Sequence, residues 1–334
     1  MALLRSVRGR RLSITAVGAA LLAVAACASP VGSGSTSGAA CEASARPLTI
    51  ATGSATGVYA ALGSALASQI SSSTPLKATA VQTGSTLRNV QQLSTGEYDI
   101  AFAQADSAAD AVLGQGVFAE PQKIRALARI YSDYTHVIVS AASGITSMAD
   151  FRGKKISVGS ASSGTELIAN RLLTAAGLDP KKDVSSQNLD LAASAAAIKA
   201  GSIDGFVWSG GLPTGGIADL FASDGASLKF VDISGLIPAM QKDDDVYAAG
   251  TIPAATYKTA GDIKTIALPN LLLVRDDFPA ADACAVTKVL FQQKNALVAA
   301  VPAASGLDPK AAADTAPVQL NDGSRAAITQ LGNG

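Results

Sequence analysis

The chain has 334 residues, 48% of them hydrophobic and 16% charged, with a formal net charge of zero. Setting aside four arginines in the N-terminal segment leaves 22 basic residues (26 − 4) against 26 acidic ones, a balance of −4 that gives nucleic acid no electrostatic foothold. One histidine and three cysteines are too few for ordinary zinc sites, and neither a metal nor a cofactor is expected.

Residues 1–26 begin with Arg5, Arg8, Arg10 and Arg11, continue in an apolar run from Ile14 to Ala26, and end in Leu-Ala-Val-Ala-Ala before Cys27. Thirteen residues are too few to span a bilayer, so the segment reads as a removed export signal. Arg10-Arg11 is a weak sign of twin-arginine export. Val24-Ala25-Ala26-Cys27 resembles the bacterial lipobox, in which Cys27 would become the lipidated first residue of the mature protein. Ordinary cleavage nearby, with Cys27 incidental, is the alternative. The Gly/Ser/Ala-rich stretch that follows makes residues 27–45 a flexible tether with a reach on the order of 20 Å, keeping the body near the outer face of the cytoplasmic membrane. Cys41 and Cys284 are an even pair in an exported chain and read as a disulfide; a buried free Cys284 is the alternative.

Leu48–Ala51 reads as a strand running into a turn of Gly53, Ser54, Thr56 and Gly57, then a helix with Val58, Leu62 and Leu66 on one face. A strand near Lys77–Val81 leads to a second turn at Thr83, Gly84 and Ser85 and a helix carrying Leu87, Val90 and Leu93. Gly96 ends that helix, and Tyr98–Gln104 is the next strand. Strands alternating with helices imply parallel pairing, which brings the polar turns to one sheet edge, where open α/β sheets bind ligands. Residues 124–140 form one or two strands leading out of this lobe.

Residues 156–173, ISVGSASSGTELIANRLL, repeat the order of strand, polar turn and helix. LSTGEYDIAFAQ (93–104) likewise lines up with IKAGSIDGFVWS (198–209), and Gly53 to Asp99 and Gly159 to Asp204 are 46 and 45 residues apart. Two similar lobes follow, their turns facing each other: lobe I is 46–138 with 265–334, and lobe II is 139–264. Strand 263–275 is the return crossing, and two crossings make a hinge.

Turns ahead of helices expose backbone N–H groups that favour a small anion. Ser54, Thr56, Ser160, Ser162, Ser163 and Thr165 suit carboxylate oxygens, with helix capping as their alternative use. Tyr59 is placed to close over a ligand, or to pack on a helix face between the lobes; Gln104, which both donates and accepts, suits an amino acid or ties two loops together; Trp208 offers a stacking face or a buried interlobe ring. Gly164, Ser209 and Gly210 complete the candidate set. His136, in an apolar strand, reads as a packed, hydrogen-bonded residue. Arg88, Arg129 and Arg171 are the arginines considered as charged anchors, with none singled out, and Asp243–Asp245 read as a solvated acidic loop. Asp99 and Asp204 read as braces.

The stretches LTIATGSATGVY, VQTGSTLRNVQQLSTGEYDIAFAQAD, GKKISVGSASSGTEL, IDGFVWSGGLPTGGI and GTIPAATY resemble, in family order, the TAXI solute-binding proteins of TRAP transporters. The resemblance implies an α/β, two-lobed type II periplasmic-binding-protein fold with two hinge crossings. It also implies no enzymatic activity and a small carboxylate or amino acid, glutamate- or glutamine-like, handed to a sodium-coupled TRAP membrane permease subunit. A monomer is expected. Thr56-Gly57-Val58-Tyr59-Ala60 keeps one glycine and one aromatic of the family's G-G-x-Y-Y turn, and Gln104-Ala105-Asp106 replaces Gln-Ser-Asp, so glutamate specificity does not transfer directly. A ligand-sensing lipoprotein signalling to a membrane partner is the alternative function. A serine hydrolase is disfavoured because GSASSG lacks the spacing of a Gly-x-Ser-x-Gly elbow and His136 is the sole imidazole.

Overall fold

The computed structural model describes residues 41–84 and 86–332. The signal segment, Cys27, the tether up to residue 40, and Ser85 lie outside the described residues. In the first half, β1 (Pro47–Ala51) leads to α1 (Val58–Ser73), β2 (Lys77–Val81), α2 (Thr86–Ser94), β3 (Ile100–Gln104) and α3 (Ala105–Leu113). β4 (Ile124–Ser140) crosses into the second half, which holds β5 (Lys155–Ser157), α4 (Gly164–Ala175), β6 (Ser185–Gln187), α5 (Leu191–Lys199), β7 (Gly205–Gly210) and α6 (Gly215–Asp224). Then come β8 (Leu228–Phe230), α7 (Ile237–Met240), β9 (Ala248–Ile252) and α8 (Ala254–Tyr257). β10 (Ile263–Arg275) returns, followed by α9 (Ala280–Gln292), α10 (Lys294–Ala300) and α11 (Asp322–Gly332).

Local chemistry sets these boundaries. Leu48, Ile50 and Ala51 are fully buried, as expected of a parallel strand covered on both faces. α1 buries Ala60, Leu62, Leu66, Ala67 and Ile70, a helical stripe, and seats closely on β1: a Cβ at Gly63 would lie 2.3 Å from Thr52 Cγ2. It stops because Pro75 forces Thr74 into extended backbone, with φ −138° and ψ 166°. α2 exits through Gly96 at φ +82°, a left-handed cap that favours glycine.

The sheet runs β2-β1-β3-β10-β4-β7-β5-β6. β1 pairs in parallel with β2 and β3, and β5 in parallel with β6 and β7, so the halves repeat the same order outward from a central antiparallel pair, β4 and β10. The repeat reaches single hydrogen bonds. Asp99 accepts from Thr49 N at 2.8 Å while its own N–H donates to Thr49 O; Asp204 accepts from Lys155 N at 2.8 Å while its N–H donates to Lys155 O. Both aspartates are therefore braces between neighbouring parallel strands.

Residues 124–140 are one strand, and boundaries at 138 and 265 fall inside the two crossing strands. The β4–β10 register shifts between Pro269 and Leu271, where proline cannot donate to the ladder. Helices α9 and α10 pack back on α1. A disulfide joins Cys41 to Cys284 on α9, with Cα atoms 5.1 Å apart. Beside it, buried Asp282 accepts from Ser44 N at 2.9 Å and from Arg46 Nε at 2.8 Å, so the last residues assigned to the tether are held against α9. Among the described residues no helix is long and apolar enough to cross a membrane.

Candidate functional site

The N-termini of α1 and α4 face a shared cavity between the two halves of the sheet, with Tyr131 and Asp133 of the crossing strand β4 in its floor. The turns ahead of these helices are built alike: Gly57 N donates to Ser54 O at 3.0 Å, and Ser163 N to Ser160 O at 3.1 Å. Ser163 then caps α4, its Oγ accepting from Glu166 N at 3.0 Å. Thirteen of the predicted residues line the cavity: Gly53, Ser54, Gly57, Tyr59 and Gly84 from the first half, Gln104 at the end of β3, and Ser160, Ser163, Gly164, Thr165, Trp208, Ser209 and Gly210 from the second half.

Three described residues of that set do not line it. Thr56 is exposed at the turn tip, and Ser162, exposed at φ +60°, contributes its carbonyl to a bond across the cleft. Thr83 turns its hydroxyl to Thr52 O at 3.0 Å and to the Asn89 side chain. Ser85 lies outside the described residues. Asn89 is fully buried and donates to Thr52 O and Phe102 O, so the second turn is an internal tie between strand ends.

The residues that sequence reasoning missed are Thr52, Val58, Thr86, Tyr131 and Asp133. Tyr131 and Asp133 sit two apart on β4 and so share a face. Asp133 is 3% exposed and accepts from Gln104 Nε2 at 2.9 Å; burial and, less, the Asp106 charge push its carboxyl up to about 6, against a downward pull from the Gln104 and Asn270 side chains. Gln104 Nε2 also donates to Ser209 Oγ at 2.7 Å, joining the two halves. Tyr59 OH donates to Asn270 Oδ1, from the irregular segment of β10, and the Tyr59 ring stands edge-on to Tyr131 with centroids 6.4 Å apart. Burial, then the Asp133 charge, holds the Tyr59 hydroxyl well above its usual range.

The halves are closed on one another. Leu87 N donates to Ser162 O at 3.2 Å across the cleft, and an ideal Cβ on Gly164 would lie 1.7 Å from Gln104 Oε1. The space left is about 60 Å³, room for about two waters at the ~30 Å³ each occupies in the liquid. Four buried atoms among its lining residues have no protein hydrogen-bond partner: Gln104 Oε1, Tyr131 OH, Asp133 Oδ1 and Trp208 Nε1. Larger hollows of about 920 and 800 Å³ lie elsewhere, and none of these unpartnered atoms belongs to their lining.

None of the three arginines considered as anchors lines the cavity. Arg88 is exposed on α2, and Arg129 pairs with Asp314 at 2.5 Å. Arg171 on α4 reaches over to α3, donating through Nη2 to both Asp110 oxygens at 2.9 Å and through Nη1 to Tyr247 OH at 2.9 Å. Tyr247 OH donates to Asp106 Oδ2 at 2.7 Å. This buried clasp fastens the halves beside the cavity. His136 is fully buried, with Nε2 2.9 Å from Tyr257 OH, and burial lowers it to about 4; it is a packed strand residue. Among the described residues no His/Cys/Asp/Glu group suited to a metal ion occurs.

A family model described as NMT1-like matches residues 50–328. Among solved structures, a binding protein component of an ABC phosphonate transporter from Pseudomonas aeruginosa is similar at 12% identity over 79% of this chain and 80% of its own, with a TM-score of 0.55. A Bordetella bronchiseptica protein is similar at 17% identity over 87% and 99%, TM-score 0.56. MatC of Rhodopseudomonas palustris, solved with bound malate, is similar at 14% identity over 86% and 96%, TM-score 0.50. These likenesses show the two-lobed α/β binding-protein fold, with β4 and β10 as its hinge crossings.

Proposed function

Because the chain belongs to the NMT1-like family and holds a cavity between two half-sheets, we propose that it is an extracytoplasmic solute receptor of the TAXI type. It captures a small carboxylate or amino acid for a TRAP-type permease and performs no catalysis. The observation that carries this reading is the meeting of both helix N-termini at one cavity between the half-sheets, among whose lining residues four buried polar atoms lack a protein hydrogen-bond partner. The five motifs in family order favour the TAXI type over other receptors of this fold.

Capture follows from hinge closure. A ligand of roughly ten heavy atoms needs under 1.5 kcal/mol per atom to reach the ~8 kcal/mol of micromolar affinity. Closure supplies this by burying the ligand among donors and acceptors already in place. A cavity of about 60 Å³ is the tightly closed end of that motion, and larger ligands would hold the halves further apart. The cell location proposed is lipid anchorage through Cys27 on the outer face of the cytoplasmic membrane. Screening amino acids and dicarboxylates by thermal shift and calorimetry tests the reading; silence across a broad set refutes it.

A further inference from the structure

Resting on the receptor reading, the geometry points to Asp133 as the counter-ion for a positively charged nitrogen on the ligand, making the solute an amine-bearing molecule rather than a bare carboxylate. Among the described residues Asp133 is the sole carboxylate lining the cavity, and no lysine, arginine or histidine lines it. Its Oδ2 is taken by Gln104 Nε2 at 2.9 Å, while Oδ1 has no protein partner. A buried carboxylate without a protein cation is costly. Arg171, which could have neutralised such a charge, is committed to Asp106, Asp110 and Tyr247.

The rest of the lining matches the same chemistry. Gln104 Oε1 is a second unpartnered acceptor that only a donor satisfies. Tyr59, Tyr131 and Trp208 bring three aromatic rings to the cavity, and ring faces attract an ammonium group. A ligand carboxylate, where there is one, is left to the backbone and hydroxyl groups of the α4 N-terminus, with no ion pair to hold it. An ammonium has three donors to divide among Asp133 Oδ1, Gln104 Oε1 and an aromatic oxygen.

The test is calorimetric titration of the wild-type protein with matched pairs differing only at the nitrogen: alanine against lactate, glutamate against 2-hydroxyglutarate, 4-aminobutyrate against butyrate. The amine member of at least one pair is expected to bind about 100-fold more tightly than its deaminated partner. Asp133→Asn, with folding checked by melting, is expected to erase that preference. If this variant does not fold, the wild-type pairs alone decide. Deaminated acids binding as tightly as amines, or an amine preference that survives in a folded Asp133→Asn, overturns the counter-ion and leaves the receptor reading standing. Silence of every pair overturns the counter-ion, and silence across the broader screen as well overturns the receptor reading.

Discussion

Gly164→Ala tests closure at its tightest point. The new methyl would start 1.7 Å from Gln104 Oε1 and 2.6 Å from its Cδ, so either Gln104 moves or the halves stay apart. Gln104 is 2% exposed and its amide donates to both Asp133 and Ser209. Displacing it gives up one hydrogen bond to a charged group, worth about 1.5–3 kcal/mol, and one neutral bond worth about 1 kcal/mol. The loss of about 3 kcal/mol corresponds to a roughly 100-fold weaker affinity. Gly164 is the first residue of α4, where alanine by itself favours the helix, so the loss would not come from local unfolding. Calorimetry on an amino acid identified by screening reads the affinity. Amide exchange at Leu87, whose N–H donates to Ser162 O across the cleft, reads the closed population. Gly215→Ala, at a helix start with nothing near its Cβ position, is the control and is expected to bind like wild type. Unchanged affinity together with unchanged Leu87 protection in Gly164→Ala would show that the Gly164–Gln104 contact does not limit closure.

Other substitutions probe the groups around the cavity. Asp133, raised from 3.8 to about 6 by burial, binds its proton more readily folded than unfolded, so its contribution to stability is complete below pH 3.8 and lost as pH rises through 6. Asp133→Asn is therefore expected to raise unfolding free energy at pH 7.5 by about 3 kcal/mol in the unliganded protein, read by urea titration. His136, lowered from 6.5 to about 4, acts in the opposite direction, with stability lost as pH falls through that window; in Asp133→Asn, acid destabilisation between pH 6.5 and 4 is expected to steepen. Arg171→Met leaves Asp106 and Asp110 buried without their cation and is expected to lower the unfolding free energy by about 3 kcal/mol and to populate the open form in small-angle scattering. Removing the disulfide in Cys41→Ser/Cys284→Ser is expected to cost about 2–5 kcal/mol, seen as a lower melting temperature that no longer responds to reductant.

The duplicated half-sheets were legible in the sequence because their signals are local. An apolar run, a turn of small polar residues and an amphipathic helix recur at matched spacing, and the two brace aspartates occupy equivalent points in each copy. The same locality revealed the turn residues of the site, since a strand end followed by a helix start must lie at the ligand edge. The floor was hidden. Tyr131 and Asp133 sit inside a long strand whose pattern resembles any half-buried crossing, and only the pairing of β4 beside β10 and of β10 beside β3 brings them to Gln104 and Asn270. The alternation of Tyr131, Asp133 and Thr135 on one face of this strand was the available signal, and it is weak without the register. Arg171 was likewise ambiguous, because its partners come from α3 and from the segment before β9, 61 and 76 residues away.

The contacts that hold the cleft shut are unequal in what they ask of a ligand. The Arg171 clasp, the Leu87–Ser162 bond and the Gln104–Ser209 bond all form between protein groups and favour closure whatever the cavity holds. Asp133 acts against them, because closing over it buries a charge with one oxygen unpartnered. On the counter-ion assignment a cationic nitrogen removes that cost and leaves the clasp unopposed, so closure responds to the ligand's charge rather than to occupancy alone. An isosteric neutral solute would fill the same space, yet is expected to bind about 100-fold more weakly than the amine. The design predicts that Asp133→Asn closes without ligand: its Leu87 amide should exchange more slowly than that of the unliganded wild type at pH 7.5, and equal exchange in the two would detach Asp133 from the control of closure.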